Sequence, residues 1–339
     1  MSPLKFRPVL RQYIWGGERL RTKMNKPIGE GRLFPTGEYA ESWEVVDHGD
    51  DQSVVDGGPH DGKTLSQLIQ FEPAMMLGQD LLQRNPGLDH LPVLLKFLDC
   101  NRVLSVQVHP DDAFASQMTP PDLGKTEAWY IIDASPDAVI YAGLKSGVKR
   151  DDLAAAIAAG ETQSVLHTLR PSAGDCVFIP AGTVHALGAG LLVAEIQQSS
   201  DTTFRLFDWN RMGADGQPRP LHIDAALEVT DYHSGPVSFQ CASPPSEGWE
   251  TLASCDKFTL QRFCDDGSDV AVANADRFEI LTVVAGTFEL RWGGQHETLN
   301  IGDTRFLPAA LKDVTLTAID PADNADNPSA RPQCLRMFV

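Results

Sequence analysis

Two histidines in this sequence lie at junctions of strand and turn near a proline, and both could bind a metal ion. His109 ends "LSVQVH" directly before Pro110, and His185 follows "GDCVFIPAGTV". Side chains alternate along a β-strand, so Gln107 shares the face of His109, and Ser105 lies on that face too. The sequence therefore predicts an amide and an imidazole side by side, facing either solvent or a cavity.

A carboxylate between the two histidines completes a possible ligand set. Glu127 lies in "GKTEAWY", where a strand-like run begins. With Gln107, His109 and His185 it gives one carboxylate, one amide oxygen and two imidazole nitrogens, which suit a borderline divalent cation, zinc first. Because only one ligand is anionic, the bound ion would keep a net positive charge and act as a Lewis acid toward a carbonyl or hydroxyl oxygen. Each histidine taken alone also fits a structural role.

A short internal repeat suggests that one supersecondary unit is used twice. "GDCVFIPAGTVH" begins at Gly174 and "GDTRFLPAALKD" begins at Gly302; both contain Gly-Asp, then a strand-like run with Phe, then Pro-Ala. This pattern predicts two related β units. Asp313 stands in the second copy where the first has His185, so we expect the second copy to have lost any chemistry at that position.

The elements that must position these residues are mostly strands. "EAWYIIDA" and "AVIYAGL" are rich in β-branched and aromatic residues around the turn "SPD", which predicts a β-hairpin. Helices are expected in "TLSQLIQFEPAMMLGQDLL", interrupted at Pro73, in "RDDLAAAIAAGETQSVLHTL", where Gly160 is a stop signal, and in "LHIDAALEV". From about Val237 onward the chain is mostly strand-like.

Charge and hydropathy restrict the classes of partner. The 339 residues carry a formal net charge of -18, which repels nucleic acids and anionic membranes. A phosphate site must therefore be made by local Lys or Arg residues. No apolar run approaches the roughly 18 residues needed to span a bilayer. We expect a soluble cytoplasmic protein with no nucleic-acid or membrane partner.

Two levels of family resemblance follow from these motifs. "GDCVFIPAGTVHAL" resembles the second cupin motif, G-x5-P-x-G-x2-H-x3-N, through Gly174, Pro180, Gly182 and His185, whereas Ala189 replaces the final Asn. More narrowly, "VQVHPDD", "GKTEAWY" and "VAEIQQSSDTTFRLFDWNR" resemble the type I mannose-6-phosphate isomerases. That similarity runs from "YIWGG" through "LHIDAALEV", about two thirds of the chain.

The narrower resemblance implies roles for named residues. One zinc ion per chain would be held by Gln107, His109, Glu127 and His185. Arg205 would be the essential active-site arginine, Lys125 and Glu195 would lie in the pocket, and Lys96 and Ser105 would lie near the substrate phosphate. From the residues alone, Arg205 stands in an apolar run and needs an anion, which could be Asp201, Asp208 or a substrate.

The repeat and the resemblance together predict the fold class. We expect a mainly β chain of two cupin-like β-barrel or jelly-roll units with a few inserted helices. Residues 1–235 would form an N-terminal catalytic cupin domain with helical insertions, and residues 236–339 a degenerate C-terminal cupin-like domain.

The function implied is a zinc-dependent aldose–ketose isomerase. It would interconvert D-mannose 6-phosphate and D-fructose 6-phosphate through a cis-enediol, with Glu195, Lys125 and Asp201 as alternative bases. Two rivals are an iron-dependent dioxygenase of the cupin class and a non-catalytic sugar-phosphate sensor. Metal identity and oxygen dependence would separate the first rival from the isomerase.

Overall fold

Strands dominate the computed structural model, which describes residues 1–213, 216–264, 269–272, 276–319 and 332–339. Up to residue 207 the strands are β1 (Phe6–Arg7), β2 (Val9–Arg11), β3 (Glu41–Val45), β4 (Asp47–His48), β5 (Asp51–Gln52), β6 (Val54–Val55), β7 (Val93–Cys100), β8 (Val106–Val108), β9 (Glu127–Ala134), β10 (Ile140–Leu144), β11 (Leu166–Leu169), β12 (Cys176–Ile179), β13 (His185–Leu187), β14 (Leu191–Gln198) and β15 (Phe204–Phe207). The expectation of a mainly β chain is confirmed.

Two antiparallel sheets from these strands form what we call the N-terminal sheet pair. The first has the strand order β12-β9-β14-β7-β3-β2 and the second has the order β11-β10-β13-β8-β15. An apolar cluster with members from both sheets, including Trp129 and Val193 from the first and Ile140 and Leu187 from the second, packs them face to face. Their hydrogen bonding leaves both sheets open rather than closed into one barrel.

Strands β7 and β14 form the centre of the six-stranded sheet. All eight residues of each strand are buried. Long apolar runs of this kind are typical of strands covered on both faces. Lys96 and Glu195 interrupt the two runs and are direct cross-strand partners, so two opposite charges face each other inside the molecule.

The predicted hairpin of "EAWYIIDA" and "AVIYAGL" is wrong. These segments are β9 and β10, but β9 pairs with β12 and β14, whereas β10 pairs with β11 and β13. The turn between them carries the chain from one sheet to the other. Strand propensity and turn residues are local properties, and they do not determine which sheet a strand joins.

The helices lie between the strands, as expected. They are α1 (Arg19–Thr22), α2 (Leu65–Phe71), α3 (Pro73–Leu77), α4 (Gln79–Arg84), α5 (Asp112–Ala115), α6 (Arg150–Ala158) and α7 (Ile223–Val229), with 3-10 turns at Gly58–His60 and Thr162–Val165. The break at Pro73 is confirmed, because Pro73 opens α3. Helix α6 ends before Gly160, whose φ of 71° is left-handed, but the last part of the predicted helical stretch is strand β11.

The remaining strands form a second group, the C-terminal sheet pair. They are β16 (Glu250–Ser254), β17 (Thr259–Cys264), β18 (Val270–Val272), β19 (Glu279–Ala285), β20 (Thr287–Trp292), β21 (Gln295–Asn300), β22 (Thr304–Leu307), β23 (Val314–Ala318) and β24 (Gln333–Phe338). Their orders are β16-β17-β24-β19-β22 and β18-β23-β20-β21. A shared apolar cluster joins this pair to the N-terminal one, because it contains Phe97 and Tyr130 of the six-stranded sheet together with Leu260 and Ile280 of the C-terminal pair. No helix among the described residues is long and apolar enough to cross a membrane.

Candidate active site

The predicted metal ligands come from both sheets of the N-terminal pair. Gln107 in β8 and His185 at the start of β13 are direct cross-strand partners in the five-stranded sheet. His109 follows β8 by one residue, and Glu127 opens β9 in the other sheet. Pairing of β8 with β13 within one sheet thus brings together residues 78 positions apart, and the contact between the two sheets adds Glu127 to them.

The side chains converge on one point. Nε2 of His185 lies 3.2 Å from Oε1 of Glu127, and Nε2 of His109 lies 3.6 Å from Oε2. One donor atom from each of the three residues fits within 4.8 Å of the others. The amide of Gln107 is 3.2 Å from Nε2 of His185, so the fourth predicted ligand lies beside this group. Rotating that amide by half a turn exchanges its nitrogen and oxygen.

Backbone carbonyl groups orient both imidazoles. Nδ1 of His109 donates to the carbonyl oxygen of Thr202 at 2.9 Å, and Nδ1 of His185 donates to that of Thr183 at 2.8 Å. A proton on Nδ1 leaves the lone pair on Nε2, which is the atom facing Glu127. Metal-binding histidines are held in their tautomer by such outer hydrogen bonds.

Three of the buried donor atoms make no hydrogen bond in the protein. Nε2 of His109 and both carboxylate oxygens of Glu127 are buried without a hydrogen bond. Burial, followed by the charge of Glu195, raises the pKa of Glu127 to about 8. Burial lowers the pKa of His185 to about 4 and that of His109 well below its ordinary value. Unpartnered buried polar groups are costly, and a bound cation would satisfy all three, so the residues fit a divalent metal.

A cavity of about 280 Å³ opens beside this group. Gln107 and His185 line it, and so do four cationic side chains, Lys96, Lys125, Arg205 and Arg219. Glu41, Glu195 and Asp201 line it too, so the four cations exceed the three carboxylates by one, in a chain whose net charge is -18. The cavity can attract an anionic ligand even though the protein as a whole repels one.

One wall of the cavity is a row of side chains across the six-stranded sheet. Nζ of Lys96 is 3.0 Å from Oε1 of Glu195 and 3.6 Å from Oε2 of Glu41. Nε1 of Trp129 donates to Glu195 at 2.9 Å, and Nε1 of Trp43 donates to Glu41 at 2.6 Å. Burial alone would raise the pKa of Glu195, but the ammonium groups of Lys96 and Lys125 outweigh it and lower that pKa.

Arg205 lies on the opposite wall, in β15. Its Nε donates to Oγ of Ser105 at 3.3 Å and its Nη1 donates to the carbonyl oxygen of Pro220 at 2.9 Å. Asp208, one of the proposed partners, instead binds Arg211 and Arg219. Within the described part of the chain, no carboxylate oxygen lies within 4.0 Å of the Arg205 guanidinium, and burial, then Arg219, lowers the pKa of Arg205.

Lys125 and Asp201 occupy different depths of the cavity. Nζ of Lys125 is buried 3.5 Å from Oε2 of Glu127, directly beside the candidate metal ligands. Asp201 lines the same cavity but is exposed. All nine predicted site residues are thus brought to the cavity or to the metal-ligand group at its base.

Sequence reasoning missed several residues that line the cavity, among them Tyr13, Trp15, Glu41 and Arg219. Tyr13 stacks on Trp15 with ring centroids 5.7 Å apart, and burial, Glu41 and Asp201 raise the pKa of Tyr13 to about 12. The available signal was "YIWGG", where the family resemblance begins. Glu41 had no signal, because its role depends on Lys96 in a neighbouring strand.

Comparison with known proteins gives a consistent result. The family model of the phosphomannose isomerase type I catalytic domain matches residues 4–135. Mannose-6-phosphate isomerase ManA from Bacillus subtilis is 35% identical over 317 residues, which cover 93% of this chain and 96% of that protein. A mannose-6-phosphate isomerase from Streptococcus mutans is also 35% identical, over 92% of this chain and 94% of its own length.

Similarity extends to a solved structure. The crystal structure of mannose 6-phosphate isomerase from Bacillus subtilis superimposes with a TM-score of 0.85 at 29% identity, covering both chains completely. The likeness therefore includes the C-terminal sheet pair, which lies beyond the two thirds of the chain that carry the resemblance in motifs.

Proposed function

The chain belongs to the type I phosphomannose isomerase family, and from this we propose that it is a zinc-dependent aldose–ketose isomerase interconverting D-mannose 6-phosphate and D-fructose 6-phosphate. One observation carries the proposal. A cavity lined by Lys96, Lys125 and Arg205 opens onto three converging donor residues, of which His109 and Glu127 have buried atoms without a hydrogen bond. A cation and a sugar phosphate together would satisfy both groups of charges.

Zinc is the ion that the donor set favours. Two neutral imidazoles, one carboxylate and the amide oxygen of Gln107 are ligands of a borderline cation. When bound there, the ion supplies Lewis-acid polarisation of a sugar oxygen. We propose one zinc per chain, because His109, Glu127 and His185 are the sole group of this kind among the described residues.

We propose that Arg205 stabilises the negative oxygen that develops in the cis-enediol. It is the cross-strand partner of Gln107 in β8, so its backbone is adjacent to that of a candidate ligand. Its guanidinium lacks a carboxylate partner among the described residues, which leaves its charge available for a substrate. Preorganised cations of this kind are among the largest contributors to catalysis.

Proton transfer between C1 and C2 needs a base, and we favour Glu195 over Lys125 and Asp201. Its pKa is lowered by Lys96 and Lys125 against the effect of burial, so it stays ionised at neutral pH and can accept a proton. Trp129 and Lys96 fix its carboxylate within the cavity. Asp201 is exposed, and Lys125 pairs with Glu127.

The contacts with the substrate phosphate stay predictions. Lys96 and Ser105 both line the cavity, which is the position such contacts require. Ser105 lies beside Arg205, whereas Lys96 already faces two carboxylates. Arg219 adds a cation that the sequence did not suggest.

We also propose that the two sheet pairs are two cupin-like units, with the boundary near residue 235. The sheet pairs and the Gly-Asp repeat support this division. A cytoplasmic location is part of the proposal. The five cysteines whose side chains are described are free thiols, which suits a reducing compartment.

The test is an isomerase assay of the purified protein on mannose 6-phosphate, before and after treatment with a chelator. We expect fructose 6-phosphate to form, activity to fall with the metal, and zinc to restore it. Formation without any metal would refute zinc dependence. Oxygen consumption with iron bound and no isomerisation would favour the dioxygenase, and substrate binding without turnover would favour the sensor.

A further inference from the structure

The segment that carries Lys125 is fixed by hydrogen bonds from outside the cavity. Oδ1 of Asp112 accepts from the backbone N–H of Gly124 at 2.8 Å and from Nε2 of Gln198 at 2.8 Å. Oε1 of Gln198 in turn accepts from the N–H of Thr126 at 3.0 Å. Asp112 therefore holds the backbone on both sides of Lys125, directly and through Gln198.

Gly124 shows how closely this segment packs against Asp112. A Cβ at residue 124 would lie 2.5 Å from the backbone nitrogen of Asp112 and 2.9 Å from its Oδ1. Real Cβ atoms do not approach so closely, so only glycine permits the contact. A displacement of Asp112 would therefore be transmitted to the backbone beside Lys125.

The other oxygen of Asp112 binds a residue of the C-terminal sheet pair. Oδ2 lies 2.8 Å from Nζ of Lys257, in the turn between β16 and β17. Phe258, the next residue, is 1% exposed and packs on Phe178 of β12 with ring centroids 6.3 Å apart. The turn is thus anchored on the N-terminal sheet pair, which fixes the position from which Lys257 reaches Asp112.

We propose that Lys257 is a positioning residue for the isomerase site, contributed by the C-terminal sheet pair. By fixing Asp112 it holds the Gly124–Thr126 segment, so that the ammonium of Lys125 stays beside Glu127 in the cavity. This inference rests on the proposed function. It gives the C-terminal sheet pair a part in the reaction that requires no ligand of its own.

The test compares three variants of the full-length zinc-loaded protein by steady-state kinetics. Lys257→Met removes the charge and keeps the length, Lys257→Arg keeps the charge, and Lys5→Met removes a similar ion pair, with Asp56 at 2.9 Å, outside the cavity. We expect Lys257→Met to lower kcat/KM about tenfold at unchanged zinc content, because a small misplacement of an active-site group by a distant change can cost up to about 100-fold. In the other two variants, kcat/KM should stay within about twofold of the wild-type value.

A double-mutant cycle separates positioning from general stabilisation. If Lys257 acts through Lys125, then adding Lys257→Met to the Lys125→Met variant should lower kcat/KM by less than about a further twofold. The same tenfold loss in that background, or a lower melting temperature at unchanged kcat and KM, overturns the proposal. If Lys257→Met does not fold, Asp112→Asn, which keeps the Oδ1 acceptor, takes its place in the same cycle. A wild type that does not isomerise refutes the proposed function instead, whereas an active wild type with an unaffected Lys257→Met refutes the positioning role alone.

Discussion

The two sheet pairs both bury charged side chains, but they neutralise these charges differently. In the C-terminal pair, Oε1 of buried Glu279 lies 3.2 Å from Arg277 and Oε2 lies 3.6 Å from Arg336. Arg336 also donates to Gln261 at 3.0 Å and lies 4.1 Å above the ring of Trp249. This pair thus supplies its own cations.

The N-terminal pair leaves its central carboxylate incompletely neutralised. Lys125 lies 3.5 Å from Glu127, yet burial and Glu195 still raise the pKa of Glu127 to about 8. Both of its oxygens lack a hydrogen bond, whereas in Glu279 only Oε2 does. The comparison shows that buried charge alone does not indicate a site: the candidate site is where donor atoms converge and the protein leaves them unsatisfied.

The repeated motif shows where the two pairs diverge. Gly174 and Gly302 have left-handed φ values of 93° and 88°, and Asp175 and Asp303 each accept from the backbone N–H three residues earlier. The turn and the strand after it are thus the same. Beyond the shared Pro-Ala, His185 is 1% exposed, whereas Asp313 is exposed on the surface.

Replacing a candidate metal ligand of the N-terminal sheet pair should cause the largest loss of activity. We expect His185→Ala to lose most of the zinc and to lower kcat about a thousandfold or more, because the ion supplies several kcal/mol of charge stabilisation. Elemental analysis and the isomerase assay measure both effects. Full zinc content with wild-type turnover would show that the ligand assignment is wrong, and two zinc ions in the wild type would mean that a second site exists.

Removing Arg205 should give the next largest effect, and the loss should fall on kcat. We expect Arg205→Ala to lower kcat on the order of 100- to 1000-fold, as for other preorganised charge-stabilising groups. Arg205→Lys should restore only part of it, because lysine lacks the planar fork. Steady-state kinetics, with zinc content checked, measure this loss. A raised KM at unchanged kcat would reassign Arg205 to phosphate binding.

The pH dependence of zinc binding tests the state of Glu127. Because its pKa is about 8 without metal, binding below pH 8 must release its proton, whereas His185, with a pKa of about 4, is already neutral there. Zinc affinity should therefore fall about tenfold per pH unit from 8 to 6. Competition titrations at several pH values measure this slope. An affinity that does not change with pH would mean that Glu127 is already ionised in the metal-free protein.

Removing one of the two arginines that neutralise Glu279 in the C-terminal sheet pair should lower stability without changing activity. Arg336→Met leaves Glu279 with one guanidinium instead of two, so we expect a loss on the order of 3 kcal/mol in the free energy of unfolding. Denaturant unfolding measures it, while zinc content and kcat of the folded variant should match the wild type. Loss of zinc would place a metal-dependent role in this pair.

The smallest effect is expected at Asp313. Its side chain is exposed and lies outside the candidate site, so Asp313→Asn should leave kcat within about twofold of the wild type. A hundredfold loss of kcat in a well-folded variant would show that the second copy of the repeat takes part in catalysis.

The sequence by itself determined much of the local structure and the identity of the candidate ligands. Alternation along "LSVQVH" put Ser105 and Gln107 on one face, and both line the cavity. The break at Pro73 and the Gly-Asp turns could also be predicted from the sequence. These features depend on backbone preferences and on side-chain periodicity over a few residues, which the order of residues specifies directly.

Tertiary structure decided which distant residues meet. The sequence allowed Asp201 or Asp208 as partners of Arg205, yet Asp208 binds Arg211 and Arg219. It also suggested a β9–β10 hairpin, whereas these strands lie in different sheets.

The contact of Lys257 with Asp112 had no local signal at all, because it joins the two sheet pairs across 145 positions of the sequence. Such contacts depend on how whole sheets pack against each other. The free energy that selects that packing is spread over many buried side chains rather than held in any one motif.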